Sequence, residues 1–537
     1  MTKYIIVTGG VLSGLGKGVA TAALGKILES RGLKIDVCKI DPYLNVDPGL
    51  MNPYQHGEVW VTKDGYEADL DFGHYERFLD VELDRDHNIT TGKVYLTVLE
   101  RERKGAYLGQ TIQIIPHITD EIKREIHEIA RVNNPDVLLV EIGGTTGDIE
   151  GMPFLEAMRQ MRMEAGRGNV LFIHVTLVPM LDAVGEQKTK PSQHSVKELR
   201  SIGIQPDLLI CRTAEPLLDE TKAKLALFCD VGKLDVISNH DVKSVYEVPL
   251  VMEAQGLGDN VLGKLNLREK GIDLKGWRRY VEGMKTLKDS VTIALVGKYT
   301  DLKDSYISVV EALRHGGVSL GHNVEIMWIE SIDLEDEPKK VGELEGADGI
   351  LVPGGFGVRG SEGKMLAIKY SRENNVPYLG ICFGFQLAAA EFARNVLSLK
   401  KANSSELDPN TPHPVVDLLP EQRDIEEMGG TMRLGEIELE IQRDTLAYRV
   451  YGKSKVGERH RHRYEINPEY IEDIEEHGMK FSARSDNGRR MEILEIPNHF
   501  HFLATQFHPE FKSRPLRPAP VFKAFVEAAI RKRRGDV

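Results

Sequence analysis

Short runs of apolar residues alternate with amphipathic stretches along most of this chain. In the first half, apolar runs predict strands over residues 4–7, 34–40, 136–140, 170–178, 207–211 and 234–238. Helical patterns lie between them and include residues 17–28 and 221–228. Strands that alternate with helices form mostly parallel sheets covered on both faces. The predicted fold class is therefore α/β, with doubly wound, mostly parallel sheets.

The same rhythm restarts in the second half after a polar region. That region begins near residue 256 and contains one predicted helix over residues 275–286, and strands are predicted again over residues 291–296, 349–352 and 376–379. A chain of 537 residues is longer than one hydrophobic core normally covers. We predict a first domain over residues 1–270, a linker over 271–290 and a second domain over 291–537.

Composition and charge narrow the class of protein. The chain is 41% hydrophobic and 28% charged, as soluble proteins are, and its net charge of -13 argues against a general grip on a nucleic-acid polymer. Local basic residues can still hold single nucleotides. No apolar run approaches the ~18 residues of a membrane span, and no secretory leader is visible. The four cysteines form no C-x-x-C pair, so we expect a reducing, cytoplasmic setting without disulfides or zinc.

A glycine-rich segment, residues 8–18, joins the first predicted strand to the first helix. Such a loop directs backbone N–H groups at a phosphate, while the helix N-terminus and Lys17 add positive charge. The pattern departs from the usual G-x-x-x-x-G-K-[ST] loop, because Gly10 lies one residue too far upstream and Gly18 replaces the residue that holds Mg²⁺. A purely structural glycine turn remains the alternative.

Charged residues follow several predicted strands at the end where ligands collect in open α/β sheets. Lys39 lies near the end of one strand, and Glu141 ends another, where its carboxylate is suited to Mg²⁺. Residues 69–77 are rich in possible ligands, although a solvated charged loop is the favoured interpretation for most of them. Lys188 and Lys190 suit a polyphosphate, with simple solvation as the alternative.

In the second half, residues 380–386 predict a strand, a sharp turn and a helix around Cys382. Small neighbours and a helix N-terminus would expose the sulfur and favour its thiolate form. A buried structural cysteine is the alternative. His508, with Glu510 two residues later, offers a base and a carboxylate to orient it, which favours the nucleophile. A glycine-rich corner at residues 353–357 offers amides for an oxyanion.

These motifs resemble two known families. Residues 380–386 together with 506–510 resemble the class I glutamine amidotransferases. The first half resembles the CTP synthases, and the likeness covers essentially the whole chain, with the synthetase domain first and the glutaminase second. The segments that carry this second resemblance are residues 7–18, 39–43, 47–49, 55–58, 73–77, 141–144 and 188–191.

The resemblance implies a reaction and a set of ligands. It implies ATP-dependent amination of UTP to CTP through a 4-phosphorylated UTP, with ammonia released from glutamine or supplied free. It further implies Mg²⁺, activation by GTP felt around Arg433, inhibition by CTP, and a homo-oligomer, a tetramer built from dimers. No membrane or nucleic-acid polymer is expected as a partner.

The resemblance also implies roles for individual residues. Cys382 becomes the nucleophile, His508 its base and Glu510 the group that orients the histidine, while Asp71 and Glu141 hold Mg²⁺. The residues implied for ATP are Gly14, Leu15, Gly16, Lys17, Gly18, Val19, Lys39, Asp71, His240, Asp241 and Val242. Those implied for UTP and CTP are Ser13, Asp148, Ile149, Glu150, Lys188, Thr189, Lys190, Pro191, Ser192, Gln193 and Lys224. Those implied for glutamine are Gly355, Phe383, Gly384, Phe385, Gln386, Glu406 and Arg463.

The chain departs from the family pattern at three of these positions. Phe383 and Phe385 stand where Leu and Met are common, and Gly14 stands where a second Ser is common. The aromatic pair either tightens the glutamine pocket or repacks it. Two alternatives to the expected function remain: another ATP-dependent glutamine amidotransferase, or a nucleotide-sensing assembly protein without turnover.

Overall fold

The chain folds into two compact units. The computed structural model describes residues 2–49, 51, 57–181, 185–298, 300, 303–355, 357–418 and 432–536. One unit comprises residues 1–50 and 68–281, and the other comprises residues 51–67 and 282–537. The sequence-based division into consecutive segments did not anticipate that residues 51–67 belong with the second unit. Gln55 and His56, which belong to the segment 55–58 that carries part of the family resemblance, lie outside the described residues.

The first unit is built on a seven-stranded sheet in which every neighbouring pair is parallel. In spatial order its strands are Val236–His240, Leu208–Thr213, Val170–Leu177, Lys3–Gly9, Val137–Ile142, Ile35–Asp41 and Asn88–Thr90. The first strand of the chain lies in the middle, so the chain winds outward from it in both directions. This confirms the predicted doubly wound α/β fold.

Helices bury apolar faces against this sheet. In Thr119–Asn133, for example, Ile122, Ile126 and Ile129 recur at helical spacing and are buried. The helices of the first unit are Lys17–Ser30, Asp71–Leu79, Thr91–Arg103, Thr119–Asn133, Met152–Ala165, Lys190–Ser201, Asp219–Cys229, Val248–Glu253 and Leu257–Leu265. The helix Lys275–Thr286 contains the boundary between the units. No described helix is both long and apolar enough to cross a membrane.

One sequence-based interpretation in this unit is wrong. Residues 69–77 were interpreted mainly as a solvated loop, but Asp71–Leu79 is a helix. Phe72 and Tyr75 are fully buried, and His74, Glu76 and Arg77 are buried with them. The high charge of the segment hid the apolar positions that anchor it to the core.

The second unit contains a nine-stranded mixed sheet. Five neighbouring strands are parallel and have the flavodoxin-like order, and the remaining four extend the sheet in antiparallel fashion. In spatial order the strands are Asn323–Glu330, Ser290–Gly297, Gly349–Val352, Tyr378–Ile381, Phe502–Thr505, Arg490–Glu495, Lys480–Ser485, Arg433–Ile441 and Lys455–His462. Three short strands form a separate small sheet, Asn403–Ser404, Pro414–Asp417 and Glu465–Ile466.

Helices cover both faces of the parallel part of this sheet. One apolar cluster includes Ile368 and Phe385, and the other, on the opposite face, includes Leu313 and Phe522. Among the described residues, the helices of this unit are Ile307–Ser319, Ser331–Asp336, Ser361–Glu373, Phe383–Asn395, Leu446–Tyr451, Ile471–Glu476 and Pro520–Arg533.

Residues 57–67 cover the last strand of this sheet, Lys455–His462. Arg459 Nη1 donates to the carbonyl of Val61 at 3.0 Å, and Arg461 Nε donates to Glu67 Oε1 at 2.7 Å. The sequence left open whether residues 458–465 form a charged strand edge or a donor-rich site. In the structure Arg459 and His460 are fully buried, so this strand is not a solvated edge.

The contact between two helices of the second unit gives a stability prediction. A Cβ atom at Gly363, in Ser361–Glu373, would lie 1.8 Å from the backbone oxygen of Ser331, in Ser331–Asp336. We expect Gly363→Ala to cost roughly 1–3 kcal/mol of stability, because neither backbone can move without loss of packing. Differential scanning calorimetry measures this as a lower unfolding temperature. Gly342→Ala is the control, since a Cβ there meets no atom within 4 Å. Equal effects of both substitutions would contradict the packing argument.

Candidate active site

Cys382 occupies a strained turn between the strand Tyr378–Ile381 and the helix Phe383–Asn395. Its backbone has φ 52° and ψ -98°, a conformation that non-glycine residues rarely adopt. The Cys382 N–H donates to the Thr505 carbonyl at 2.7 Å, which ties the turn to the neighbouring strand. A Cβ at Gly384 would lie 2.2 Å from the Val352 oxygen, so only glycine allows the helix to start this close to the sheet.

His508 and Glu510 lie beside this cysteine. His508 Nδ1 and Glu510 Oε1 are 2.7 Å apart, and the histidine ring stacks on Phe511. Burial by itself lowers the pKa of His508, but the Glu510 carboxylate and the Cys382 sulfur raise it to about 10. His508 Nε2 is buried and makes no hydrogen bond with any described residue. Glu510 thus favours an imidazolium beside the Cys382 sulfur, the arrangement in which a histidine activates a cysteine nucleophile.

A cavity of about 260 Å³ opens onto these three side chains. Its lining includes Gly355, one of the residues predicted for glutamine, and the adjacent Gly354. Sequence analysis placed Pro353 in the glycine-rich corner and Arg461 in a possible donor-rich segment, and gave no role at this cysteine to the rest of the lining, namely Gly57, Glu58, Val59, Ser305, Tyr306, Val309 and Phe511. Glu58, which accepts a hydrogen bond from the Ser308 hydroxyl, belonged to a motif associated with the other domain. Its sequence position therefore gave no reason to place it here.

The other residues predicted for glutamine fall into two groups. Glu406 accepts a hydrogen bond from the Gly357 N–H at 2.9 Å, and burial raises the pKa of its carboxyl. Gln386 Nε2 donates to the Tyr464 carbonyl at 3.0 Å. Burial and, to a smaller extent, the Glu406 carboxylate raise the pKa of Tyr464, which directly follows Arg463 in the chain. Glu406, Gln386 and Arg463 form the first group, which is polar.

The two aromatic departures belong to the second group. The side chains of Phe383 and Phe385 are buried in the apolar cluster under the turn, and Phe385 lies near Phe481. Of the two possibilities left by the sequence, this packing favours a repacked core under the turn. The role of these residues in glutamine binding stays a prediction.

Arg433 anchors a buried polar cluster in the same unit. Its Nη1 contacts Glu465 Oε1 at 3.1 Å and Glu492 Oε1 at 2.9 Å. Burial, together with nearby positive charge, lowers the pKa of His460 and of His462 well below the ordinary value, so both are neutral. His460, His462 and Glu492 have the donor atoms of a metal site. We assign no metal there, because His460 Nδ1 and His462 Nε2 lie 3.0 Å apart, within hydrogen-bond distance of each other, while Arg433 binds Glu492. Residues 429–431, which precede Arg433, lie outside the described residues.

In the first unit, Lys39, Asp71 and Glu141 meet at the carboxyl edge of the parallel sheet. Lys39 Nζ donates to Asp71 Oδ2 and, at 3.0 Å, to Glu141 Oε1. Burial by itself raises the pKa of Asp71, but the Lys39 ammonium lowers it below its ordinary value. Tyr75, to which the sequence analysis gave no role of its own, donates its hydroxyl to Glu141 Oε2 at 2.6 Å. Two converging carboxylates are the oxygen ligands that Mg²⁺ prefers.

The glycine-rich loop lies next to this cluster. Lys17 Nζ donates to the Gly144 carbonyl at 2.5 Å, and Gly14 and Gly16 have φ of 71° and 85°. A Cβ at Gly18 would lie 1.8 Å from Asp71 Oδ1. The departure from the usual loop therefore has a physical reason: the Asp71 carboxylate occupies the space that a Ser or Thr side chain at residue 18 would need.

Among the described residues, the other side chains predicted for nucleotides make no observed hydrogen bond or ion pair with Lys39, Asp71 or Glu141. Most of them follow strands whose carboxyl ends share the sheet edge of these three residues. His240 ends one strand, and Asp241 pairs with Arg212 at 2.6 Å. Lys188 pairs with Glu186 at 2.5 Å, just before the helix Lys190–Ser201. Residues 148–150 are exposed, as is Lys224 on the helix Asp219–Cys229. Their ligands stay predictions.

Comparison with known proteins follows the same division. Residues 3–267 match the family described as CTP synthase N-terminus, and residues 301–528 match the class I glutamine amidotransferase family. A CTP synthase of Thermococcus kodakarensis is 60% identical over 537 residues, which is 100% of both chains. A CTP synthase of Archaeoglobus fulgidus is 60% identical over 99% of each chain. A solved glutaminase domain of Trypanosoma brucei CTPS with bound acivicin is 40% identical, with a TM-score of 0.43, over 45% of this chain and 94% of that one.

The contact between residues 18 and 71 gives a binding prediction. We expect Gly18→Ala to displace the Asp71 carboxylate from Lys39 and to weaken binding of ATP with Mg²⁺ about tenfold, or ~1.4 kcal/mol. Isothermal titration calorimetry measures the change. Gly263→Ala is the control, because a Cβ there meets no atom within 4 Å. Wild-type affinity in Gly18→Ala would show that the carboxylate does not serve the nucleotide.

The pair of His508 and Glu510 gives a pH prediction. Glu510 holds the pKa of His508 above its ordinary value, so the imidazolium persists until the pH rises through about 10. In Glu510→Gln the proton should leave at lower pH, and alkylation of Cys382 by iodoacetamide at neutral pH should slow about tenfold. Mass spectrometry of the Cys382 peptide gives the rate. Glu527→Gln, on the exposed side of the C-terminal helix, should react like the wild type. An unchanged rate in Glu510→Gln would refute the electrostatic argument.

Proposed function

Because the chain belongs to the CTP synthase family, we propose that it aminates UTP to CTP with ATP and with ammonia taken from glutamine. One observation carries the proposal: the chain combines a cysteine, histidine and carboxylate set in one unit with a phosphate loop and paired carboxylates in the other. The first set suits hydrolysis of a carboxamide, and the second suits phosphoryl transfer. A protein that carried out only one of these two reactions would not need both sets of residues.

In the second unit, the Cys382 thiolate attacks the side-chain amide carbon of glutamine. The carbonyl electron pair moves to oxygen, where the amides of the corner at Gly354 and Gly355 are suited to hold it. The C–N bond then breaks, nitrogen takes the proton of His508, and ammonia leaves. A water molecule that gives its proton to His508 hydrolyses the resulting thioester to glutamate and free thiol. Glu510 keeps the ring oriented throughout.

In the first unit, oxygen 4 of UTP attacks the γ-phosphorus of ATP, and ADP leaves. Ammonia then attacks carbon 4, and phosphate departs to give CTP. Lys17 and the loop amides would bind the ATP phosphates. Asp71 and Glu141 would hold Mg²⁺, which supplies positive charge to the transferring phosphoryl group. Lys39 and Tyr75 keep both carboxylates fixed in position.

The proposed regulation, UTP-binding residues, oligomeric state and cellular compartment are supported by the family relation and by the state of the cysteines. Activation by GTP, inhibition by CTP and the residues for UTP have the family relation as their support. The homotetramer likewise has the family relation as its support. Four buried cysteines without disulfides fit a reducing cytoplasm.

Two alternatives are less well supported. Full-length similarity to CTP synthases disfavours another ATP-dependent amidotransferase. An assembly protein without turnover would not need the intact contact between His508 and Glu510.

Uncoupling of the two half-reactions tests the proposal. With UTP, ATP and Mg²⁺, the wild type should form CTP from either glutamine or ammonia. We expect Cys382→Ala to abolish only the glutamine-dependent reaction, and Lys17→Ala to lower both by roughly a hundredfold, because phosphate charge loses its partner. Ion-exchange chromatography of the nucleotides measures CTP. Cys229→Ala, at a buried cysteine outside both sites, should behave like the wild type. No CTP from the wild type under any condition would reject the proposed function.

A further inference from the structure

Two buried lysines lie against the ring of Phe383, the residue that follows the nucleophile. Lys298 Nζ is 4.9 Å and Lys364 Nζ is 5.3 Å from the ring centroid, within the range of cation–π attraction. Lys298 is 3% exposed, and Lys364 is completely buried. Aromatic rings hold ammonium groups more strongly when water is excluded. The Phe383 ring therefore packs against both lysine amines next to the active-site turn.

Both ammonium groups also bind the glycine-rich corner that faces Cys382. Lys364 Nζ donates to the Pro353 carbonyl at 3.2 Å, and Lys298 Nζ donates to the Gly357 carbonyl. The Gly357 N–H is held in turn by Glu406. The corner is thus fixed near both of its ends; Phe356, between them, lies outside the described residues.

The bond from Lys364 has a direct consequence for the next peptide group. In a planar trans peptide, the carbonyl and the N–H point in opposite directions. With the Pro353 carbonyl turned toward Lys364, the Gly354 N–H must point away from it. A Cβ at Gly354 would lie 3.1 Å from His508 Cε1 and 3.7 Å from Cys382 Cβ, so this residue borders the reacting groups directly. Gly355, the next residue of the corner, has φ 150°, and a Cβ there would lie 3.6 Å from Lys364 Nζ.

Stability alone does not account for Lys364. In the part of the chain that the structure describes, no carboxylate lies within 4.0 Å of its Nζ, and a buried amine with one carbonyl partner is costly. Burial and Lys298 lower the pKa of Lys364 to about 7, against weaker raising effects of Cys382 and Glu330. Methionine has a similar length and would fill the same space without a polar atom. The amine is therefore expected to serve the peptide that it binds.

We propose that Lys364 is a positioning residue for glutamine hydrolysis, which fixes the Pro353–Gly354 peptide so that the Gly354 N–H can hold the developing oxyanion. This inference rests on the proposed glutaminase activity. Lys364 does not contact the amide that reacts; it acts through the peptide and through Phe383. A misplaced oxyanion donor slows the chemical step without a comparable loss of substrate binding.

Lys364→Met tests the assignment, with Lys369→Met as the matched control. Lys369 lies on the same helix, has 40% of its side chain exposed, and pairs with Glu373 at 3.9 Å. We expect Lys364→Met to lower kcat for glutamine hydrolysis at least about tenfold, with KM changed less than about threefold, as for loss of an oxyanion donor. Ammonia-dependent CTP formation should stay at the wild-type rate. Lys369→Met should leave both reactions unchanged.

Loss of the thermal unfolding transition would show that Lys364→Met does not fold. In that case Phe383→Leu tests the assignment of Lys364. This substitution removes the aromatic ring, keeps both amines and should lower kcat about threefold or more, in line with a desolvated cation–π contact. Wild-type kcat in each variant that folds, or a rise in KM alone, would overturn the assignment of Lys364. A wild-type protein that releases no ammonia from glutamine would overturn the proposed function and, with it, this inference.

Discussion

Parallel strand pairing is the constraint on which both candidate sites depend. Parallel strands end at the same edge, so residues far apart in the chain are brought together wherever neighbouring strands finish. In the first unit this places Lys39 and Glu141, on adjacent strands, beside the glycine-rich loop. In the second unit the strands Tyr378–Ile381 and Phe502–Thr505 are neighbours, which brings Cys382 next to the segment that carries His508.

Buried charge is handled differently at the two sites. Lys39 shares two carboxylates, and Arg433 likewise bridges Glu465 and Glu492, so these charges are compensated inside the protein. Lys364 contacts only a carbonyl and an aromatic face in the contacts observed. Compensated clusters keep side chains in place, whereas the Lys364 amine holds a backbone carbonyl of the active-site corner instead of a carboxylate. The same residue type thus has two roles, which its surroundings determine.

Glycines mark the positions where the sites leave no room for a side chain. At Gly18 the space is taken by Asp71, and at Gly384 it is taken by the backbone of Val352. In the first case the glycine makes room for a functional carboxylate, and in the second it lets a helix begin directly above a strand. Both departures from simple helix propensity are therefore explained by neighbours that are distant in sequence.

The sequence by itself determined the α/β fold class and the positions of the glycine loop and the cysteine turn, because periodicity and motif spacing report local structure. The pairing of Cys382 with His508 and Glu510 was predicted from their residue types and from the family resemblance. The sequence did not determine that residues 57–67 join the second unit, that residues 71–79 form a buried helix, or that Tyr75, Glu58 and Lys364 border the sites. Those facts depend on which distant segments fill the same space. Only the tertiary structure decides this, since side-chain volume and charge must be satisfied by all neighbours together.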